Sequence, residues 1–297
     1  MGIVAPASNI KRELLEAGCD GLRRAGYEPF YFESIFDRDV YFAGSVERRA
    51  RELEEMFIRD DIRAILCARG GYGANYLLQA VDLDKIAAHP KIFVGYSDIT
   101  TLLTWFSDRA NLVTFHGPMV TKDFAIADGV DFESWSNALS GEGNWEIGEA
   151  SGARPLVAGA AEGILYGGCL SLLVAAMGTP YSIVQSAGTI LFLEDLAAKP
   201  YQIDRMLMQL KLAGKFEQVR GIVFGEMMDC RQSADQDYTL EEVVLRVVGD
   251  LGIPIAIGLR SGHVSHANIT LPIGVRARLE VGNGVKLRIL EAAVETG

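Results

Sequence analysis

Lys91-Ile-Phe-Val-Gly-Tyr-Ser-Asp-Ile-Thr-Thr-Leu-Leu-Thr-Trp-Phe106 changes its hydrophobic rhythm halfway along. Lys91–Gly95 is a short apolar run with the look of a buried strand, and Ile99–Phe106 has the spacing of a helix. Ser97 sits on the turn between them. A serine on so sharp a turn has its hydroxyl exposed, and the N–H of the next residue, Asp98, lies at a helix N-terminus, where anionic charge is stabilised. That is the mechanical logic of a nucleophile elbow. The pattern is G-x-S-D and not G-x-S-x-G, however, and a Ser-Asp pair is also a common way to begin a helix. Taken alone, the turn favours the ordinary cap.

The same strand-to-helix rhythm runs through the first half of the chain. A strand at Gly2–Ala5 precedes a helix near Ile10–Ala25, and a second strand is expected near Pro29–Phe32. Ser45 caps a helix whose apolar positions Val46, Ala50, Leu53 and Phe57 follow helical spacing. Ala64–Ala68 is strand-like and runs into Arg69-Gly-Gly-Tyr-Gly73, with a helix from Asn75; Leu112–Phe115 is a further strand, ending in His116-Gly-Pro118. Alternation of this kind predicts a doubly wound, largely parallel sheet with ligands at the carboxyl ends of its strands.

Residues 128–155 are polar, rich in Gly, Ser, Glu and Asn and without period, and read as a linker. Beyond it the pattern is that of a mixed α/β domain. Glu162–Tyr166, Thr189–Leu193 and Gly221–Gly225 are strand-like, Tyr201–Leu212 and Leu240–Leu251 helical. Val275–Val281 and Val285–Leu290 form a hairpin across Gly282-Asn-Gly284. The expected domains are therefore 1–127 and 156–297.

Composition narrows the function. The 297 residues are 49% hydrophobic and 23% charged, with 32 glycines and a net charge of −11. A nucleic-acid groove needs a basic stripe, and an anionic membrane surface attracts basic segments, so neither partner is expected. No apolar run is long enough to span a bilayer. No basic, then apolar, leader opens the chain, and Cys19, Cys67, Cys169 and Cys230 are scattered as free thiols would be, which points to the cytoplasm.

Three polar sites close or follow apolar strands: Ser97, Glu194-Asp195 after Ile190–Leu193, and His263 in Ser261–Asn268. Serine catalysis needs a base to take the hydroxyl proton and a carboxylate to orient that base. His116, His263 and His266 are the candidate bases, since His89 lies in a loop before Pro90. Each has a plainer reading. Glu194-Asp195 would equally cap a helix, His263 and His266 have H-x-x-H spacing without a third metal ligand nearby, and His116-Gly-Pro would serve as a structural turn. Arg69–Gly73 lacks the lysine of a phosphate loop, but its exposed N–H groups would equally suit an oxyanion hole.

Together these motifs resemble one family. Phe42-Ala-Gly-Ser45, Ala68-Arg-Gly-Gly-Tyr-Gly73, Gly95-Tyr-Ser-Asp98, His116-Gly-Pro118, Gly167-Gly-Cys-Leu-Ser-Leu172, Leu193-Glu-Asp195, Tyr201-Gln-Ile-Asp-Arg205, Gly262-His263 and Leu271-Pro-Ile-Gly274 occur in the order found in the LD-carboxypeptidases, serine peptidase family S66. That family includes murein tetrapeptide carboxypeptidases and microcin C self-immunity hydrolases. The resemblance implies a Rossmann-like N-terminal domain and a swivelling-type C-terminal α/β domain. It implies Ser97 as nucleophile, His263 as base and Glu194 as its orienter, with Asp98, Gly70 and Gly71 supplying backbone oxyanion donors. Tyr72 and His116 are candidate substrate contacts. A small peptide substrate, a homodimer and no metal or organic cofactor follow from the same likeness, whereas His266 is left as a loop residue.

Overall fold

The apolar runs of the first half become four parallel strands: β1 (Gly2–Val4), β2 (Ala64–Cys67), β3 (Ile92–Gly95) and β4 (Thr114–His116). The computed structural model describes residues 1–183 and 188–295. β1, β2 and β4 are buried throughout, as strands covered on both faces by helices must be. Around them lie α1 (Arg12–Arg24), α2 (Val46–Ile58), α3 (Leu83–Ala88) and α4 (Thr100–Ala110). The Ser45 hydroxyl accepts the Arg48 N–H at 3.2 Å, starting α2 as its sequence predicts.

Pro29–Phe32, expected as a strand, contributes a single parallel bridge, Phe30 to Gly2 on the outer edge of β1. Pro29 has no N–H to extend a ladder. That bridge still decides the topology. The chain moves outward from β1 to Phe30, then crosses back to β2, β3 and β4 on the other side. The direction reverses between β1 and β2, so the loops leaving these two strands flank the switch point, where α/β sheets bind ligands. The helix expected from Asn75 is a 3₁₀ stretch, Ala74–Gln79, before α3 begins.

The chain divides at 139/140 into two units, Met1–Leu139 with His266–Gly274, and Ser140–Ser265 with Val275–Gly297. The stretch read as a linker, 128–155, is structured. It holds α5 (Phe132–Leu139), whose start is fixed by Asp131 accepting from the Ser134 N–H at 2.9 Å, and the short strands β5 (Trp145–Ile147) and β6 (Arg154–Val157). Both strands lie at the edges of the second sheet and are largely exposed or half-buried, so they carry no buried face to impose a period. Residues 266–274 return to the first unit. There β11 (Leu271–Ile273) pairs antiparallel with β4, bringing Leu271 opposite His116. Pro272 is tolerated because β11 is the edge.

The second unit contains an eight-stranded sheet. Its centre is parallel: β7 (Gly159–Cys169), β8 (Thr189–Glu194), β9 (Val219–Gly225) and β10 (Ile255–Leu259). The hairpin β12 (Arg276–Val281) and β13 (Val285–Ile289) adds antiparallel strands beside β7, closed by Gly282 N–H to the Gly284 carbonyl at 2.9 Å. The helices are α6 (Leu170–Ala175), α7 (Pro200–Leu212) and α8 (Leu240–Val248), with α7 packed on both the others.

Candidate active site

Tyr96 is extended, and Ser97 then takes φ 64°, a left-handed backbone that costs a non-glycine residue of order 1–3 kcal/mol. A single 3₁₀ turn, Ser97–Ile99, leads into α4. An ordinary helix cap has a β-region backbone and needs no such conformation.

Gly70, at the carboxyl end of β2, lies against it. A Cβ on Gly70 would fall 2.9 Å from the Ser97 Cβ, 3.1 Å from its Oγ and 3.3 Å from the Asp98 nitrogen. Only glycine leaves that space open. Gly71 follows with φ 107°, and a Cβ there would strike the Ser8 hydroxyl oxygen, which accepts the Tyr72 N–H at 3.0 Å. Tyr72 itself is exposed, in a cluster with Tyr41, Phe42 and Tyr76.

The Asp98 side chain is buried, and its Oδ2 accepts the Ala74 N–H at 2.7 Å. Burial pushes its carboxyl up to about 6, although hydrogen bonds from Ala74 and Gly73 and the nearby Arg49 charge pull the other way. Arg49, buried on α2, donates through Nη1 to the carbonyls of Pro6 (2.6 Å) and Gly73 (2.9 Å). The loops leaving β1, β2 and β3 are thus fastened together in the first unit.

In the second unit, Glu194 ends β8 with no exposed surface. Its Oε2 accepts twice from one residue, from the His263 N–H at 3.1 Å and from His263 Nδ1 at 2.7 Å. With Nδ1–H directed at the carboxylate, Nε2 carries the lone pair and can take a proton. Space for Glu194 comes from Gly225 at the end of β9, where a Cβ would lie 2.6 Å from the Glu194 Cβ. The Glu194-Asp195 dipeptide divides its roles. Asp195 accepts the Ser171 N–H at 2.8 Å, serving the start of α6, and the Leu196 N–H at 2.9 Å. Capping falls to Asp195 and the histidine to Glu194.

His116, read as a substrate contact, is wholly buried at the end of β4, with its ring 6.0 Å from that of Tyr96. Here the His-Gly-Pro segment has the surroundings of a packing residue. His266 lies in the stretch that returns to the first unit, whereas His263 belongs to the second. Among the described residues no cluster of His, Cys, Asp and Glu could hold a metal ion, and all four cysteines are buried free thiols. No described helix is long and apolar enough to cross a membrane.

Comparison with known proteins covers both units. Residues 1–117 match the LD-carboxypeptidase N-terminal domain, and residues 162–279 match its C-terminal domain. A probable murein peptide carboxypeptidase of Bacillus subtilis is 36% identical over 300 residues, spanning 100% of this chain and 93% of the relative. A microcin C7 self-immunity protein of Escherichia coli is 29% identical, across 94% of this chain and 89% of the relative. The solved muramoyltetrapeptide carboxypeptidase of Oxalobacter formigenes superposes with a TM-score of 0.89 at 29% identity, covering 99% of each chain.

Proposed function

The chain belongs to the LD-carboxypeptidase family, and from that premise we propose that it removes the terminal D-amino acid from murein tetrapeptides by acyl transfer to Ser97. The observation that carries the reading is the backbone of Ser97: a non-glycine residue at φ 64° on a strand-to-helix turn, with a glycine kept clear beside its hydroxyl. A helix cap requires neither feature.

In the proposed reaction Ser97 Oγ attacks the amide carbonyl of the L-residue while His263 Nε2 takes the hydroxyl proton. Glu194 holds Nδ1–H and stabilises the imidazolium that results. The N–H of Asp98 and those of the Gly70-Gly71 turn receive the oxyanion, as donors already fixed before charge develops. The imidazolium then protonates the departing amine, and D-alanine leaves. Water, activated by the same histidine, attacks the ester and frees the tripeptide and Ser97. The carboxylate that orients the base is a glutamate, one methylene longer than aspartate, which serves because only the position of its oxygens matters.

Tyr72, exposed beside the glycine turn, is assigned to substrate contact. The same reading makes the working species a cytoplasmic homodimer without metal or organic cofactor.

Mass spectrometry of products from a panel of muropeptides and one aminoacyl sulfamoyl adenosine, wild type against Ser97→Ala, tests it. Loss of a D-alanine mass from tetrapeptide by wild type alone is expected. Faster cleavage of the nucleoside would assign the chain to the immunity-type hydrolases. Full tetrapeptide turnover by Ser97→Ala would remove the serine mechanism altogether.

A further inference from the structure

The turn Gly70–Gly73 is held from three sides. From the loop after β1, the Ser8 N–H donates to the Gly70 carbonyl at 3.4 Å and the Ser8 hydroxyl accepts from Tyr72. From α2, Arg49 donates to the Gly73 carbonyl. From the loop after β3 comes the carboxylate of Asp98, accepting the Ala74 N–H. The third tie differs in kind, because it originates in the residue next to Ser97. A carboxylate that merely capped its own helix would accept from residues two or three places on. This one reaches an N–H 24 residues earlier in the chain.

Glycines have the widest backbone freedom of any residue, so a turn carrying Gly70, Gly71 and Gly73 does not hold a fixed shape by its own torsional preferences. An oxyanion hole, in contrast, works only when its donors stand in place before the charge appears. Burying a carboxylate is costly unless it is well hydrogen-bonded, and here backbone N–H groups and the facing guanidinium of Arg49 offset that cost.

We propose that the side chain of Asp98 is a positioning residue for the oxyanion hole: it ties the glycine turn to the serine turn, so that the backbone N–H groups on the two keep one spacing. This rests on the reading of Ser97 as nucleophile. Asp98 thereby serves twice, its main-chain N–H as a donor and its carboxylate as the brace for the donors opposite.

The test compares Asp98→Ala, Asp98→Asn and Ser97→Ala on murein tetrapeptide, with a tetrahedral phosphonate analogue of the scissile amide as inhibitor. Asp98→Ala is expected to lower kcat by about 100-fold, the scale of a displaced reacting geometry or one lost oxyanion donor. Its affinity for the phosphonate should weaken by the same factor, with KM within about threefold of wild type. Asp98→Asn keeps an oxygen for the Ala74 N–H but no charge, and should lose about tenfold, since charge-assisted bonds are roughly twice as strong as neutral ones. A purely structural aspartate would change thermal stability and folded yield and leave kcat per folded enzyme and phosphonate affinity alone. That result would overturn the proposal, and Asp98→Asn decides the matter if the alanine variant does not fold. An inactive Ser97→Ala beside a fully active Asp98→Ala would refute the brace and spare the nucleophile. Full turnover by Ser97→Ala would refute both.

Discussion

Gly70→Ala adds one methyl group at the point where the glycine turn meets the serine. The new Cβ would stand 2.9 Å from the Ser97 Cβ, 3.1 Å from Oγ and 3.3 Å from the Asp98 nitrogen. Carbon atoms in good contact sit at about 3.5–4.0 Å, so the two turns must separate by about half an ångström or more. Gly70 is not among the positive-φ glycines, so alanine suits its backbone and the strain falls on the contact alone. Overpacking of this kind costs about 1–3 kcal/mol of stability, leaving a chain of this size folded. Catalysis should suffer more. The methyl group crowds the Ser97 hydroxyl and the Asp98 donor together, and losing one oxyanion donor costs about 10²–10³ in kcat. The expected result is kcat on murein tetrapeptide reduced by about two to three orders of magnitude, read from D-alanine release, with thermal unfolding lowered by a few degrees. A folded Gly70→Ala enzyme turning over within threefold of wild type would refute the reasoning, because it would show that this space is not used in the reaction.

Two further outcomes rest on the buried carboxylates. Glu194→Gln preserves an acceptor for His263 but removes the negative charge that stabilises the imidazolium and the preference for Nδ1–H. About 10⁴-fold should be lost from kcat, the scale set by neutralising the orienting carboxylate in a serine triad; a loss under tenfold would remove Glu194 from the mechanism. Asp123 is buried, accepts the Met119 N–H at 2.8 Å, and has its carboxyl raised by burial to about 6. A folded pKa above the unfolded one means that the folded state binds a proton that the unfolded chain releases between about pH 4 and 6. Ionised Asp123 thus costs the folded state stability, in full above about pH 6 and by about 3 kcal/mol for a carboxyl lifted from about 4 to about 6, and the cost falls away progressively as the pH drops from about 6 to about 4. Asp123→Asn should therefore gain less, or lose more, in Tm than the wild type on acidification from about pH 6.5 to about 4.5; identical pH slopes for the two proteins in calorimetry would contradict that account.

Much of this was legible in the sequence where the decisive interaction is local. The Ser97 turn is bracketed by two apolar rhythms within sixteen residues, and the glycine turn advertises itself by composition. Ser45 and α2 follow from a cap and a helical stripe. What escaped depends on pairings between distant segments. Phe30 joins β1 through one bridge, too short to leave a period, although it fixes where the sheet changes direction. β11 has an apolar pattern that would suit either sheet, and nothing in Leu271-Pro-Ile273 announces that it pairs with β4. The edge strands β5 and β6 lie within a polar stretch because an edge has little face to bury. For the site, the strand ends were visible, but the division of roles between Glu194 and Asp195 was not. It shows only in their partners, Ser171 and Leu196 for Asp195 and His263 for Glu194, and in the room that Gly225, 31 residues away in sequence, leaves beside the Glu194 Cβ.

Asp98, Glu194 and Asp195 express one structural device in three ways. Each is a buried carboxylate just beyond or at the end of a parallel strand, and each accepts a backbone N–H from another loop or helix: Ala74, His263 and Ser171 respectively. Such a bond is charge-assisted and worth about 1.5–3 kcal/mol, which offsets much of the cost of burying the charge. Loops at the carboxyl ends of strands are thereby tied to their neighbours. In Asp195 the device goes no further than the helix it caps. In Glu194 the oxygen that fastens the His263 main chain also receives the His263 ring, so a structural bond and the orientation of an imidazole share one atom. Mutations that remove that oxygen must therefore disturb the loop and the imidazole together. A variant that keeps an acceptor oxygen but loses the charge, as Glu194→Gln does, separates the two effects: the main-chain bond should survive and the loop hold, while the imidazole alone loses its partner charge.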